Sequence, residues 1–326
     1  MGRYLLRRLF SMVPVLVFIT AISFGIMHLA PGKPTDAAGA FNPKVSLEAR
    51  QRLQAAYGLD APVLIQYGRW VKRLVRLDFG RSFLDDRPVS EKILERLPLT
   101  FTINIVSLIL IFSITIPLGI WAAVKPFGWF DRWTTLLVFI GYATPSFWLA
   151  LMGLAVFGVQ LRWLPISGVR SLDYDSFSWT GKILDQAWHL ILPIAITAFG
   201  SLAGLSRYMR SSMTEVLRQD YIRMARAKGL TESRVLFHHG LRNALLPFIT
   251  ILGLSLPDLI GGSVIAETIF SIPGMGRLFY EAVMARDYPV IMALVTLGAM
   301  LTLLGNLLAD LGYAFADPRI RVGSQQ

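Results

Sequence analysis

The sequence predicts an all-α integral membrane protein of six transmembrane helices, with both termini cytoplasmic. A helical extracytoplasmic loop is expected between the first and second spans, and a polar cytoplasmic elbow between the fourth and fifth. Three observations predict it. Hydrophobic residues make up 54% of the chain and charged residues 16%, with a mean hydropathy of +0.54; an ordinary water-soluble domain is less apolar. The apolar residues gather into runs long enough to cross a hydrocarbon core of about 30 Å, which takes roughly 20 helical residues. The net charge of +11 collects in connections on one side, as in cytoplasmic loops rather than in a nucleic-acid binder.

The runs are Leu9–Ala30, Phe101–Val124, Thr134–Val159, Trp188–Ser206, Leu245–Ile269 and Pro289–Tyr313. Arg3, Arg7 and Arg8 before the first give it the look of a secretory signal. Its apolar stretch is longer than a signal's, and "HLAPG" is a poor cleavage site, so it is expected to stay as an anchor. An even number of spans puts both ends on one side. Arg319 and Arg321 near the C-terminus, Lys125 and Arg132 after the second span, and eight basic residues between Arg207 and Arg242 then share the cytoplasmic face. There is no cysteine, which removes disulfides, thiolate nucleophiles and cysteine-held metals.

The first loop, from Pro31 to about Thr100, is too long for a turn. Ser46 is placed to cap "LEARQRLQAAY", stopped by Gly58, and Asp60 to cap a second helix with Pro62 in its first turn. In that second helix Val63, Tyr67, Trp70, Val71 and Leu74 share one face, with Arg69, Lys72, Arg73 and Arg76 elsewhere. Such a helix rests on a membrane surface or forms part of an outer platform for another protein, and the two readings are compatible.

Between the fourth and fifth spans, "YIRMARAK" is rich in helix formers. Gly229 suits the left-handed position that ends a helix, with Leu230 as the apolar residue closing the cap. Thr231 is placed to cap a second helix, "ESRVLFHHGLRNAL". Charge alone makes this block an orientation signal. Its helix–corner–helix pattern, with small Ala225, Ala227 and Gly229, makes it a compact protrusion that another chain can grip. Within the spans, Asp258 lies beside Pro257 and before Gly261 and Gly262, the mixture of a bent helix facing protein or a wet cavity. It is expected either to line or gate a pathway or to pair with another helix. Glu267 and the turn-prone Pro273 and Gly274 sit at the outer end of the fifth span, where a gate would fit. Asn306 and Asp310 are expected to bond between helices.

The elbow resembles the cytoplasmic "EAA" loop of binding-protein-dependent ABC importer permeases, in particular the first permease subunit of the dipeptide/oligopeptide/nickel group. "ARAKGL" followed by "RNALLP" is similar to that group's version, departing from the general Glu-Ala-Ala pattern and spacing. "RYLLRRL", "HLAPGKP", "RPVSEKILERLPLT", "GYATPSFWLAL", "ETIFSIPGMGRL" and "RDYPVI" follow in the same order across nearly the whole chain. The resemblance implies residues 1–98 as first helix plus outer loop, 99–320 as a five-helix permease core containing the coupling loop 207–246, and 321–326 as a cytoplasmic tail. It implies an ATPase-coupling elbow at Ala225, Arg226, Ala227, Lys228, Gly229, Leu230, Thr231 and Glu232, and docking of a solute-binding protein at Tyr67, Trp70, Arg73 and Arg81. Pathway or gate roles are assigned to Asp258, Glu267, Pro273 and Gly274. The partners implied are a second homologous permease, two ATPase subunits, the solute-binding protein, a peptide substrate and membrane lipid, in the cell inner (cytoplasmic) membrane. No Gly-x-x-x-x-Gly-Lys-Ser/Thr occurs, so ATP and magnesium are expected on the ATPases and no cofactor or metal on this chain. Nickel or another small solute is the alternative cargo. An ion-coupled secondary transporter is the rival class, disfavoured because the six spans show no convincing repeat. An intramembrane hydrolase lacks His-Glu-x-x-His, Gly-x-Ser-x-Gly and cysteine.

Overall fold

Each apolar run becomes helix, and helices also form in the first, fourth and fifth polar connections. The computed structural model describes residues 2–31 and 57–316; the helix expected after Ser46, and Arg319 and Arg321, lie outside the described residues. The helices are α1 (Gly2–Leu29), α2 (Val63–Leu74), α3 (Val89–Val124), α4 (Trp129–Ala143), α5 (Ser146–Gly153, continuing as wide π turns over Leu154–Gln160), α6 (Trp179–Leu217) and α7 (Asp220–Ala227). Then come α8 (Glu232–Arg234), π turns over Val235–Leu241, α9 (Arg242–Ala244), α10 (Leu246–Leu254), α11 (Leu256–Gly261), α12 (Val264–Ile269), α13 (Met275–Ala285) and α14 (Tyr288–Ala316).

Five stretches among the described residues are long and apolar enough to cross a membrane, and a bent pair makes the sixth. That pair corrects the straight third span expected over Thr134–Val159: it turns by 101° between Asp131–Ala143 and Ser146–Gln160. The cause is local. Thr144 is extended at φ −94° and ψ 121° ahead of Pro145, because the proline ring crowds a helical residue before it and offers no N–H to continue the ladder. The fifth run is also segmented. Ser255 turns its hydroxyl onto the Ile251 carbonyl at 2.8 Å, Pro257 has no N–H to give, and Gly262 ends α11 at φ 68°.

Two expected caps differ. The helix predicted from Asp60 starts at Val63 with Pro62 in the cap position. Gln66 secures that end instead, its amide donating to the Ala61 carbonyl at 2.8 Å. Thr231 does occupy the cap position of α8, but without a side-chain cap bond. The fourth span also outgrows Trp188–Ser206: α6 runs 39 residues to Leu217 from Ser178, whose hydroxyl accepts the Gly181 N–H. The elbow is correspondingly shorter than 207–246.

The chain forms two compact units. The first combines Met1–Thr100 with Leu256–Val264 and Pro273–Leu307. Its α2 lays Tyr67, Trp70, Val71 and Leu74 on Phe24 and Met27 of α1 and Met292 of α14. A second cluster joins Val89 and Ile93 to Met275, Leu278 and Ala282 of α13 and Val290 and Ala293 of α14. The same unit holds a polar knot centred on buried Asp287 and Ser82. The Asp287 carboxylate accepts the Ser82 hydroxyl and the Phe83 N–H at 3.0 Å. Lys92 donates to Ser82 at 3.0 Å and to Asp85 at 2.8 Å. Burial alone would raise the Asp85 carboxyl, but the hydrogen bonds from Lys92 and the Arg87 N–H outweigh it and hold the group below the usual range.

The second unit combines Phe101–Ser255, Ile265–Ile272 and Leu308–Gln326. Here α6 packs along α4 and α5, and its Met209 and Met213 are fully buried with Ile120, Ala123, Ala244 and Phe248. Gly119 permits the approach of α3 to α6, since a Cβ there would lie 2.5 Å from Met209. Asp131 at the start of α4 ties the same region together. It accepts the Phe127 N–H at 2.8 Å and Arg210 of α6 at 2.7 Å.

Candidate functional site

The elbow is built from the end of α6 outward. After the Arg218 cap, Gln219 is extended at φ −70° and ψ 149° and starts α7. Asp220 in the first turn and Arg226 in the last each oppose the sign of the helix dipole at their end. Gly229 then takes φ 74°. Its N–H donates to Arg226 O at 2.9 Å, and the Leu230 N–H to Ala225 O at 3.4 Å, the paired bonds of a Schellman cap. The apolar contact that accompanies such a cap is present too: Leu230 and Leu217 pack on buried Ile222, Ala225 and Val235.

Three side-chain links brace the corner. Arg226 grips Glu232 with two nitrogens, at 2.6 and 3.2 Å. Asn243 donates to the Tyr221 hydroxyl at 3.0 Å and to the His239 carbonyl at 3.0 Å. Ser212 of α6 donates to the Ala244 carbonyl at 2.9 Å. The hydrogen bond from Arg226 holds the Glu232 carboxyl below its ordinary range, and Glu232 in turn raises Arg226. Gly240 sits hard against α6, where a Cβ would approach Met213 to 2.8 Å. The result is a fixed protrusion.

All eight predicted elbow residues come together, though not in one role. Ala225 faces inward and is buried, so its small side chain serves the packing under the corner. Arg226, Ala227, Lys228, Gly229, Thr231 and Glu232 are exposed. A Cβ at Gly229 would meet nothing within 4 Å, so its backbone conformation, not crowding, calls for glycine. Sequence reading missed Tyr221, Met224 and Phe237, large residues that stay exposed on this polar block; an exposed apolar side chain in a loop is the signal that would have found them.

The other predicted residues are dispersed. Asp258 is exposed in the first turn of α11, whereas Glu267 is 4% exposed on α12. Pro273 is exposed, and Gly274 is buried as the cap of α13. Gly274 has no side chain for that task, and the Thr100 hydroxyl accepts the Met275 N–H at 2.9 Å in its place. Among the docking candidates, Trp70 is buried and Tyr67 bonds to Thr20 at 3.0 Å, so both face the first span. Arg73 and Arg81 are exposed, Arg81 pairing with Asp86 at 2.9 Å. No group of three or more potential metal ligands occurs among the described residues.

Apolar helices of spanning length, broken spans and one braced polar protrusion define a polytopic α-helical membrane protein. Residues 115–322 match the family of binding-protein-dependent transport system inner membrane components, and residues 1–104 match the N-terminal model of the same kind of membrane component. The chain belongs to that family, and is an inner-membrane component of a binding-protein-dependent transport system. It is similar to the Bacillus subtilis oligopeptide transport system permease protein AppB, with 47% identity over 98% of this chain and 99% of that protein. The dipeptide transport system permease proteins DppB of Alkalihalophilus pseudofirmus and Escherichia coli are each 38% identical over the same shares. The order of motifs along the sequence had pointed to this family.

Proposed function

We propose that this chain is the first of two unlike permease subunits of an ATP-driven importer, forming half of the translocation pathway for di- or oligopeptides. The observation that carries the mechanism is the elbow: a corner braced at Arg226–Glu232 and Tyr221–Asn243, with Met224, Ala227 and Lys228 exposed on it. A rigid protrusion transmits displacement, where a flexible loop would absorb it. Two separate ATPase subunits grip it, supply the hydrolysis of ATP with magnesium, and drive the membrane helices between outward and inward access. The chain itself binds no cofactor.

Peptide cargo is supported by the names of the relatives, dipeptide and oligopeptide permeases matched over almost their full length. Both termini, the tail at 321–326 and the elbow lie in the cytoplasm. Residues 1–98 supply the anchor helix and outer platform, and 99–320 the permease core. Exposed Arg73 and Arg81 offer cations to a solute-binding protein on that platform, and Tyr67 and Trp70 hold α2 in place beneath them. Asp258, Glu267, Pro273 and Gly274 belong to the pathway and its outer gate.

The test is assembly of the chain with its partner permease, ATPases and binding protein in proteoliposomes. Met224→Asp combined with Ala227→Arg alters only exposed positions. It should lower peptide-stimulated ATP hydrolysis at least about tenfold while leaving the thermal unfolding of the isolated chain unchanged. Full stimulation by that variant would remove the elbow from the mechanism; a wild-type chain that recruits no ATPase would remove the permease reading itself.

A further inference from the structure

Two cavities of the second unit meet at the same pair of arginines. The larger, about 760 Å³, lies where α3 ends against the last turns of α6; Arg207, Arg210, Arg218 and Ser211 line it, with Glu215 as its acid and Pro126 at its wall. The smaller, about 350 Å³, is lined by Leu118, Val138, Phe139 and Tyr142 and again by Arg207 and Arg210. One is basic with mixed walls, the other chiefly apolar. Among the described residues only Arg210 of the three arginines has an acidic partner, Asp131 at 2.7 Å. That carboxylate holds Arg210 and the Phe127 N–H on one oxygen and keeps the other buried and unpaired, so Arg210 is fixed at the wall of the cleft.

We propose that an anionic phospholipid occupies this pair of cavities, with its phosphate on Arg207 and Arg218, oriented by Arg210, and one acyl chain in the Phe139–Tyr142 groove. With Asp131 on Arg210, Arg207 and Arg218 face only Glu215, and that surplus of positive charge selects a negative ligand. The adjoining groove selects an amphiphile over a free anion, because only a lipid gains by filling apolar space beside its phosphate. The location fits as well. The turn that brings Pro126 and Phe127 to the cleft is flanked by exposed Trp121, Phe127, Trp129 and Trp133, the aromatic girdle of a membrane–water interface. Basic pockets between helices on the cytoplasmic side are where anionic headgroups bind. The elbow begins directly after Arg218, so the lipid would splint the helix end from which the protrusion grows.

Occupancy is measurable on the purified full chain without partner subunits, so its failure and that of the permease reading are separate results. Dioleoyl phosphatidylglycerol is titrated onto detergent-solubilised protein and followed by native mass spectrometry, with phosphatidylcholine and inorganic phosphate as the comparison ligands. Wild type should retain phosphatidylglycerol in preference to phosphatidylcholine. Arg207→Gln with Arg218→Gln should weaken that retention about thirtyfold, the corresponding Lys pair should restore most of it, and Arg132→Gln should change nothing. Val138→Trp, which fills the groove, should weaken phosphatidylglycerol and leave phosphate unaffected. Equal retention of both lipids would overturn the proposal, as would wild-type binding by the Gln pair. Displacement of the lipid by inorganic phosphate at matched concentration would replace it with a free-anion site. If the Gln pair does not fold, the Lys pair and Val138→Trp decide the question.

Discussion

The elbow and the knot around Asp287 are both polar structures in a greasy chain, and they are held together on different scales of sequence. Arg226 and Glu232 are six residues apart and Tyr221 and Asn243 are 22 apart. Ser82 and Asp287 are separated by 205, and Phe83 and Asp287 by 204. The elbow's contacts are exposed, the knot's central carboxylate is 1% exposed. A local, solvated corner is stabilised by backbone geometry and tolerates the loss of one side-chain link. A buried, long-range knot depends on every partner, because any group left alone has no water to turn to.

The largest effect should therefore come from the knot. Asp287→Ala strips the buried Ser82 hydroxyl and the half-buried Phe83 N–H of their acceptor and should cost about 2–4 kcal/mol. Thermal unfolding of the purified chain would read this, and Asp287→Asn should recover part of it; a shift no larger than that of a surface substitution would break the contrast. Next comes Gly229. Its left-handed backbone makes Gly229→Val cost roughly 1–2 kcal/mol. Gly229→Asn should be tolerated, since the space beyond it is open and asparagine enters that region readily. Equal damage from both would show that space, not backbone angle, sets the requirement. The smallest effect belongs to the Arg226–Glu232 pair. Both side chains are about half exposed, so Glu232→Gln should cost only about 0.2–1 kcal/mol, screened by salt. Because the folded-state Glu232 is depressed, its contribution is present above the unfolded carboxylate value near about 4.3. It is lost as pH falls through the lower folded value. Amide exchange at Gly229 and Leu230 should accelerate below that range in wild type but not in Glu232→Gln.

The same difference in scale governs what could be read from residues alone. Helix formers, a glycine and a following leucine foretold the corner and its cap, since each device is complete within ten residues. Trp70 was visible on an amphipathic face, but whether that face met lipid, a partner or α1 depends on Phe24 and Met292, far away in the chain. Thr100 capping α13 has no local trace at all. The bend at Thr144 did have one, in Pro145, yet average hydropathy runs straight across a proline, and the third span was drawn unbroken. Ala225 could be picked out by its size but not placed by it: smallness suits a contact surface and a buried corner equally, and its burial with Val235 beside Leu230 comes only from the fold.

The wide turns over Val235–Leu241 have a geometric consequence. An α-helix advances 1.5 Å and 100° per residue, and a π bulge stores about one surplus residue against that count. Were this stretch to close into ordinary helix, everything beyond Arg242 would screw by about 100° and slide by about 1.5 Å relative to Arg234. The segment that joins the protrusion to the fifth span is thus threaded like a bolt, and its smallest unit of travel is one residue.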